Sequence, residues 1–335
     1  MRRVAVWVGG LAVLLAASYT GYWYYLVGTI QKEMGPWTEA RRAQGIDIKW
    51  QAVAIDGFPL AVRLHFDGFG VAAAKPMPYQ MDAADISFSS APWDLRHWHF
   101  SAPDGARVEL ILQSAGFDAK TLDGTVSVPL QPGGSADITA TGLTGRGAAQ
   151  GLGIDSAHVA LSQPDSPPKT DHDPALLVSF DIQGAHLRAA PAPFGTTIQD
   201  ISATATVDGT IAPAPLPQML DAWRKNGGAI ELSRAHLAWD HLDIDAQGTL
   251  ALDDDLQPLA ALTATVRGQN EMIDAAVSAG ALPEANAGMA RIVLNMIAQQ
   301  GSDGRKQIQL PISAQNRRLY LGPAAIAKIP TIDWR

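Results

Sequence analysis

The chain of 335 residues has no cysteine at all, and only 17% of it is charged. Without cysteine there can be no disulfide framework, thiol nucleophile or thiolate metal site. Basic residues are also few. With 25 Lys and Arg against 33 Asp and Glu, the formal net charge is −8, which argues against nucleic acid and against electrostatic adhesion to anionic lipid. The common catalytic signatures are missing too: there is no Gly-x-Ser-x-Gly, no His-Glu-x-x-His and no Gly-rich phosphate loop closing on Lys-Ser or Lys-Thr. The expectation is a non-enzymatic protein with no cofactor and no metal. What the chain does have is 47% hydrophobic residues, 31 Gly and 22 Pro, the composition of a large core built from short strands and many turns.

One long apolar run stands out. Val4 to Val27 carries no charge and follows directly on Arg2 and Arg3. As a helix this stretch is about 36 Å long, enough to cross a ~30 Å hydrocarbon core with some tilt. The preceding arginines would hold the N-terminus on the cytoplasmic side and send the rest of the chain across. A cleaved signal peptide is the competing reading. An uncleaved anchor over residues 1–28 is favoured because the run is long and Leu15 spoils the small-x-small pattern before Ala17. Tyr19, Tyr22, Trp23, Tyr24 and Tyr25 also cluster at its outer end, where amphipathic rings prefer the headgroup layer.

Beyond the anchor, Pro36 to Gln44 reads as a short helical stalk (residues 29–45) stopped by Gly45. From Ile46 onward the apolar period changes to two. Leu60, Val62, Leu64 and Phe66 keep this rhythm with Arg63, His65 and Asp67 facing the other way, and it runs on through Val178-Phe180-Ile182 and Ile201-Ala203-Ala205-Val207. It is clearest in Leu242-Ile244-Ala246, behind Ala235, Leu237 and Trp239; the parity flip at Asp240-His241 suggests a β-bulge. Two stretches are helical instead: Leu216, Met219, Leu220 and Trp223, then Met289, Ile292, Val293, Met296 and Ile297. A weaker helix is expected over 271–279. The predicted fold is mainly β: a long, curved antiparallel meander sheet with the N-terminal transmembrane helix and two or three amphipathic helices packed on it. The Pro-rich segment 162–174 separates an N-terminal half, 46–161, from a C-terminal half, 175–335, and one continuous sheet with a loose excursion is preferred over two domains.

Polar candidates read as solvated. His97 and His99 share a strand face but lack a third ligand for zinc. Asp171-His172-Asp173 lies in the Pro-rich loop, and Asp253-Asp254-Asp255 reads as a hairpin tip rather than a calcium loop. The apolar candidates are stronger. Leu60, Val62, Leu64, Trp93, Trp239, Leu242 and Ile244, with Leu216, Leu220 and Trp223 on a covering helix, would form a groove for acyl chains. Trp93, Trp98, Trp223 and Trp239 are equally compatible with a core.

Gly21-Tyr22-Trp23, Trp37, Gly57-Phe58-Pro59-Leu60, Ala91-Pro92-Trp93, Trp223, Gly227-Gly228, Gly248-Thr249-Leu250 and Leu319-Tyr320-Leu321-Gly322-Pro323 occur in this order. Together they resemble the bacterial domain-of-unknown-function family 2125. The resemblance implies a single-pass inner-membrane protein with its bulk in the periplasm, and it implies no activity and no catalytic residues. The architecture is also similar to AsmA-like envelope proteins, which share one N-terminal anchor and a long sheet with an apolar concave face. The expectations are therefore lipid handling or envelope homeostasis through an apolar sheet face or, alternatively, docking of other inner-membrane or envelope proteins. Expected partners are the inner membrane, lipid acyl chains and envelope proteins, with no nucleic acid.

Overall fold

The computed structural model describes residues 2–74, 78–111, 114–127, 133–189, 194–212, 214–278, 280, 283–301, 304, 306–322 and 324–334. It opens with helix α1 (Arg2–Ala43) and continues through strands β1 (Ile46–Lys49), β2 (Ala52–Asp56), β3 (Val62–Ala73), β4 (Tyr79–Ala91), β5 (Asp94–Ala102) and β6 (Ala106–Leu110). Then come β7 (Ala115–Ala119), β8 (Thr121–Ser127), β9 (Ser135–Gly147), β10 (Gly153–Ser162), β11 (Pro174–His186) and β12 (Thr197–Asp208). Helix α2 (Leu216–Lys225) precedes β13 (Ile230–Trp239), β14 (Leu242–Leu252) and β15 (Pro258–Arg267). The chain closes with α3 (Gln269–Ser278), α4 (Glu284–Ile297), β16 (Gln299–Gln300), β17 (Lys306–Gln315), β18 (Arg318–Leu321) and β19 (Ala324–Lys328).

All the strands belong to one sheet, and every pairing is antiparallel. From β9 to β15 each strand pairs with the next in sequence; β15 then pairs with β17, and β17 with β18. In the N-terminal part, short strands share a partner end to end: β1 and β2 line β3, β5 and β6 line β4, and β7 and β8 line β9. The Pro-rich segment 163–173 joins β10 to β11, which pair directly, so it is a connection within a continuous sheet.

Three local expectations change. The expected anchor and stalk are one uninterrupted helix, Arg2–Ala43, with Pro36 inside it. Its C-terminal turns are held because Met34 packs against the sheet core, while Arg41 and Arg42 complement the negative end of the helix dipole. No helix among the described residues is long and apolar enough to cross a membrane. The side chains of Val4, Ala5, Val6, Val8 and Gly9, which open the expected span, lie outside the described ones. The flip at Asp240-His241 is a two-residue hairpin turn with Asp240 at φ 55°, since Trp239 pairs with Leu242. The slips in alternation lie elsewhere. Gly142 and Gly184 adopt φ 58° and 63°, with the Lys120 and Asp155 side chains filling the space a Cβ would need. The apolar parity shifts there, from Ala140 to Leu143 and from Ile182 to Ala185.

The densest packing lies in the N-terminal half, where Ile48, Phe66, Phe69, Ile86, Phe100 and Leu122 form the main buried cluster. Elsewhere most strand residues are only half-buried. The accessible surface, 19904 Å², exceeds the roughly 13,000 Å² expected of a compact monomer of this mass. A single layer with two wet faces and a projecting helix accounts for the excess.

The opposite face of the sheet is polar and held by cross-strand pairs. His158 meets Asp137 at 2.9 Å and His186 meets Asp155 at 3.0 Å. Arg267 donates to Asp243 at 3.1 Å and Asp245 at 2.7 Å, with His236 at 3.1 Å from Asp245. Partial burial pushes the Asp245 carboxyl up, but hydrogen bonds from Arg267 and His236 outweigh it and hold the group below the usual carboxylate range. A carboxyl depressed in this way stabilises the fold above its ordinary pKa, and the contribution is lost as pH falls through the lower folded value. Arg267→Ala should therefore cost about 1–3 kcal/mol near neutrality. Urea denaturation at neutral and at acid pH should show the gap from the native protein closing in acid.

Candidate functional site

Antiparallel register sets directly paired residues on the same face, so the composition of that face can be followed strand by strand. One row runs Leu64, Phe88, Phe100, Gly124, Ile138, Val159, Phe180, Ala203, Ala235, Ala246, Ala264, Leu310. Two residues further along the strands, a second row runs Ala102, Leu122, Ala140, Ala157, Ile182, Ile201, Leu237, Ile244, Val266, Ile308. On the other side of the first, a third runs Trp98, Val126, Ala136, Leu161, Val178, Ala205, Leu232, Gly248, Leu262, Ile312. No polar side chain interrupts any of the three. A fourth, shorter row consists of Leu176, Val207, Ile230, Leu250, Ala260 and Ala314.

Helices cover parts of this face: besides α1 and α2, α3 lies against β14, and Ala264 on β15 and Ile308 on β17 are buried. At the N-terminal end α1 lies over it, and Ile30, Met34 and Trp37 close a cavity of about 350 Å³ with Leu64, Phe66, Phe88, Trp98 and Val126. Toward the other end α2 lies over the fourth row. There Met219, Leu220 and Trp223 face Val207, Ile230, Leu250 and the C-terminal Trp334 around a cavity of about 280 Å³. Trp223 is buried at 6% exposure, and its indole donates to the Asp208 carbonyl at 2.7 Å. Gly228 lies beneath the ring, where a Cβ would come within 2.3 Å of it. Between the two covers the strands are open: Val159 is 38% exposed and Phe180 36%. From β9 to β13 this stretch is roughly 20 Å across the strands and 20 Å along them.

The residues predicted for a groove are distributed among these regions. Leu64 lines the α1 cavity, Leu220 and Trp223 line the α2 cavity, and Leu216 starts α2, partly buried. Ile244 belongs to the second row, while Leu242 and Trp239 pair with each other at one end of the face. There Trp239 stacks on Phe194 at 4.3 Å and donates to the Gly195 carbonyl. Val62 is fully buried. Leu60 lies in the turn before β3, 70% exposed, because the strand begins only at Val62; Trp93, in the turn after β4, is 67% exposed. Neither of these two belongs to the apolar rows. The residues at the centre of the open face, Ile138, Val159 and Phe180, were not singled out by sequence. The signal was their alternation, but assigning them to one surface requires knowing which strand pairs with which.

The aromatic end of the helix does more than the sequence suggested. Trp23 is 4% exposed and donates to the Ala61 carbonyl at 2.9 Å, Tyr22 donates to the Pro92 carbonyl at 2.9 Å, and Tyr19 donates to the Pro59 carbonyl. Phe58 packs edge-on against Trp23 with ring centres 5.5 Å apart. The Gly57-Phe58-Pro59 turn thus receives the helix. Gly57 sits at φ 102°, where an added Cβ would lie 2.7 Å from the Ala61 carbonyl oxygen.

The polar candidates are structural. His97 pairs with Asp94 at 2.9 Å on the exposed side of β5. The backbone amides of Lys169 and Thr170 donate to Asp173 and hold its carboxyl below the usual range. Asp253 accepts the backbone amides of Asp255 and Gln257, closing the β14–β15 turn. His236, Asp243 and Asp245 lie close enough together to hold a cation. The Arg267 guanidinium already contacts both carboxylates, however, so the positive charge is supplied by the chain itself.

The family of the chain is shown by its sequence. Residues 23–330 match the family described as "Uncharacterized protein conserved in bacteria (DUF2125)", and the chain belongs to it. No curated protein and no solved structure matches.

Trp223→Ala should cost about 3–5 kcal/mol, because it removes a buried ring and its hydrogen bond together. Thermal unfolding measures this, and hydrogen exchange of residues 216–225 should rise ahead of that of β13 and β14 as α2 loses its anchor. Asp208 gives a second test beside the same ring. Burial, followed by the Glu231 charge, pushes its carboxyl up. A raised carboxyl pKa disfavours the folded state once the group must ionise. Asp208→Asn should therefore raise the melting temperature at neutral pH, with the difference vanishing below the carboxylate range.

Proposed function

We propose that this protein is a membrane-anchored periplasmic component that handles lipid without catalysis, its open sheet face shielding acyl chains from water. The observation that carries the proposal is the uninterrupted apolar face left open around Val159 and Phe180. Monomers rarely expose contiguous apolar patches beyond a few hundred Å²; an open stretch of about 20 Å by 20 Å reaches that limit. An acyl chain fills half of a ~30 Å hydrocarbon core, so several chains could lie across the stretch. The face offers nothing to orient a polar substrate, which fits a ligand recognised by its hydrocarbon. The uncharged run Val4 to Val27 behind Arg2 and Arg3 supports the anchor and the orientation.

The second reading is a docking protein for other envelope components. It is favoured by the sheet's ends: among the described residues β19 pairs only with β18, and β2 only with β3, leaving backbone groups for an added strand.

A photo-crosslinking residue in place of Phe180, in whole cells, separates the two readings. The lipid proposal expects lipid adducts at this position and none from the same residue in place of His158, on the polar face. Protein adducts alone at Phe180 would favour docking, and the absence of any adduct would remove the lipid reading.

A further inference from the structure

Where the sheet meets α1, the apolar residues outside the rows form a cluster of their own. Along its aromatic segment the helix is clamped to the body by Tyr19 and Trp23 on the 59–61 turn and by Tyr22 on Pro92. On the N-terminal side of this clamp, Leu11, Val13, Leu14 and Leu15 are 59–70% exposed, so the helix there projects beyond the sheet. At the clamp itself the two turns present Phe58, Leu60 and Trp93 outward, 47%, 70% and 67% exposed, beside Tyr24 and Tyr25 at 64% and 74%. Phe58 packs against Trp23 and Tyr24, whereas Leu60 and Trp93 keep about two thirds or more of their surface in water.

We propose that the 58–60 turn and Trp93 form a membrane-contacting lip that enters the interfacial layer of the same bilayer that holds α1. This rests on the anchored reading of the chain. If the helix is in hydrocarbon up to about Ala17, the next turn, only ~5 Å further along the axis, stands at the headgroup boundary. The clamp fixes Leu60 and Trp93 at that level. Amphipathic rings and an exposed leucine are suited to that layer, where a polar turn would be expected on a body held in water. The bilayer is recognised through apolar insertion, so the contact should be insensitive to salt. It would also hold the α1 cavity, closed by Ile30, Met34 and Trp37, at a fixed height of about 20–30 Å from the lipid surface.

The absence of cysteine allows the test on the full chain. Single variants Leu60→Cys, Trp93→Cys, Leu14→Cys and Gln150→Cys would each carry an environment-sensitive fluorophore. They would be reconstituted in phosphatidylethanolamine–phosphatidylglycerol vesicles containing lipids spin-labelled at shallow or deep positions. The lip predicts that probes at 60 and 93 lose most of their emission to the shallow quencher, at low and high salt alike. The probe at 14 should respond to the deep quencher, and the probe at 150 only to aqueous iodide. If 14 is quenched by lipid while 60 and 93 behave like 150, the lip is wrong and the anchor stands. If 14 is also reached only by iodide, the anchored reading fails and the lip with it.

Discussion

Antiparallel pairing, carried from β8 to β17 with bulges in β11, β12 and β13 that keep the apolar residues in line, is the constraint on which the rest depends. Each strand alternates apolar and polar residues, and pairing Ile138 with Val159, Val159 with Phe180 and Phe180 with Ala203 puts like beside like. A slip of one residue in any strand would exchange its two sides and set polar groups among the apolar ones. The polar side enforces the same register from behind, because His158 reaches Asp137, and Arg267 reaches Asp243 and Asp245, only in this alignment. The exposed His158–Asp137 pair adds little stability, and the half-buried Arg267 pairs add more. Their contribution is to decide which surface of the layer stays wet.

The apolar side is costly to leave open. Full burial of a Val or Phe side chain is worth about 1.5–3 kcal/mol, and Val159 and Phe180 each keep more than a third of their surface in water. Proteins ordinarily recover that energy by laying helices over the sheet. Here α1 and α2 do so in part, where Trp37, Met34 and Trp223 face strand residues, while Val159 on β10 and Phe180 on β11 stay open. A face kept apolar through strand after strand, yet not closed, is the physical basis for reading it as a surface that binds hydrocarbon.

Much of this was legible in the chain and some was not, for identifiable reasons. Period-two alternation identified the strands, and the i, i+3, i+4, i+7 spacing of Leu216, Met219, Leu220 and Trp223 identified α2, because both patterns depend on neighbours a few residues apart. Continuity of α1 was missed because Pro36 reads locally as a helix start, whereas packing of the following turns on the sheet decides the matter. The parity change at Asp240 was read as a bulge because a hairpin of two residues shifts alternation in the same way. The centre of the site was harder. Phe180 is one alternating residue among many until Val159 and Ala203 are known to flank it, and that is information held in long-range pairing. Leu60 looked like a strand residue from its spacing alone, but the turn built on Gly57 delays the strand to Val62.

The unbroken helix also bears on how the body would sit on a membrane. A flexible stalk would let the sheet tumble and present its apolar side at any height. A helix that runs from the apolar N-terminal segment into the sheet core without a joint removes that freedom, since rotation at one end must carry the other. Two attachments secure the helix: the clamp of Tyr19, Tyr22 and Trp23 on the turns, and the seat of Met34 in the core about 20 Å further along the helix axis. Held at two levels, the helix cannot pivot on the sheet without breaking one of them. The end of the apolar face beside α1 therefore keeps a fixed height relative to the N-terminal segment, a relation that a carrier drawing hydrocarbon from a bilayer would need and that a docking protein would not.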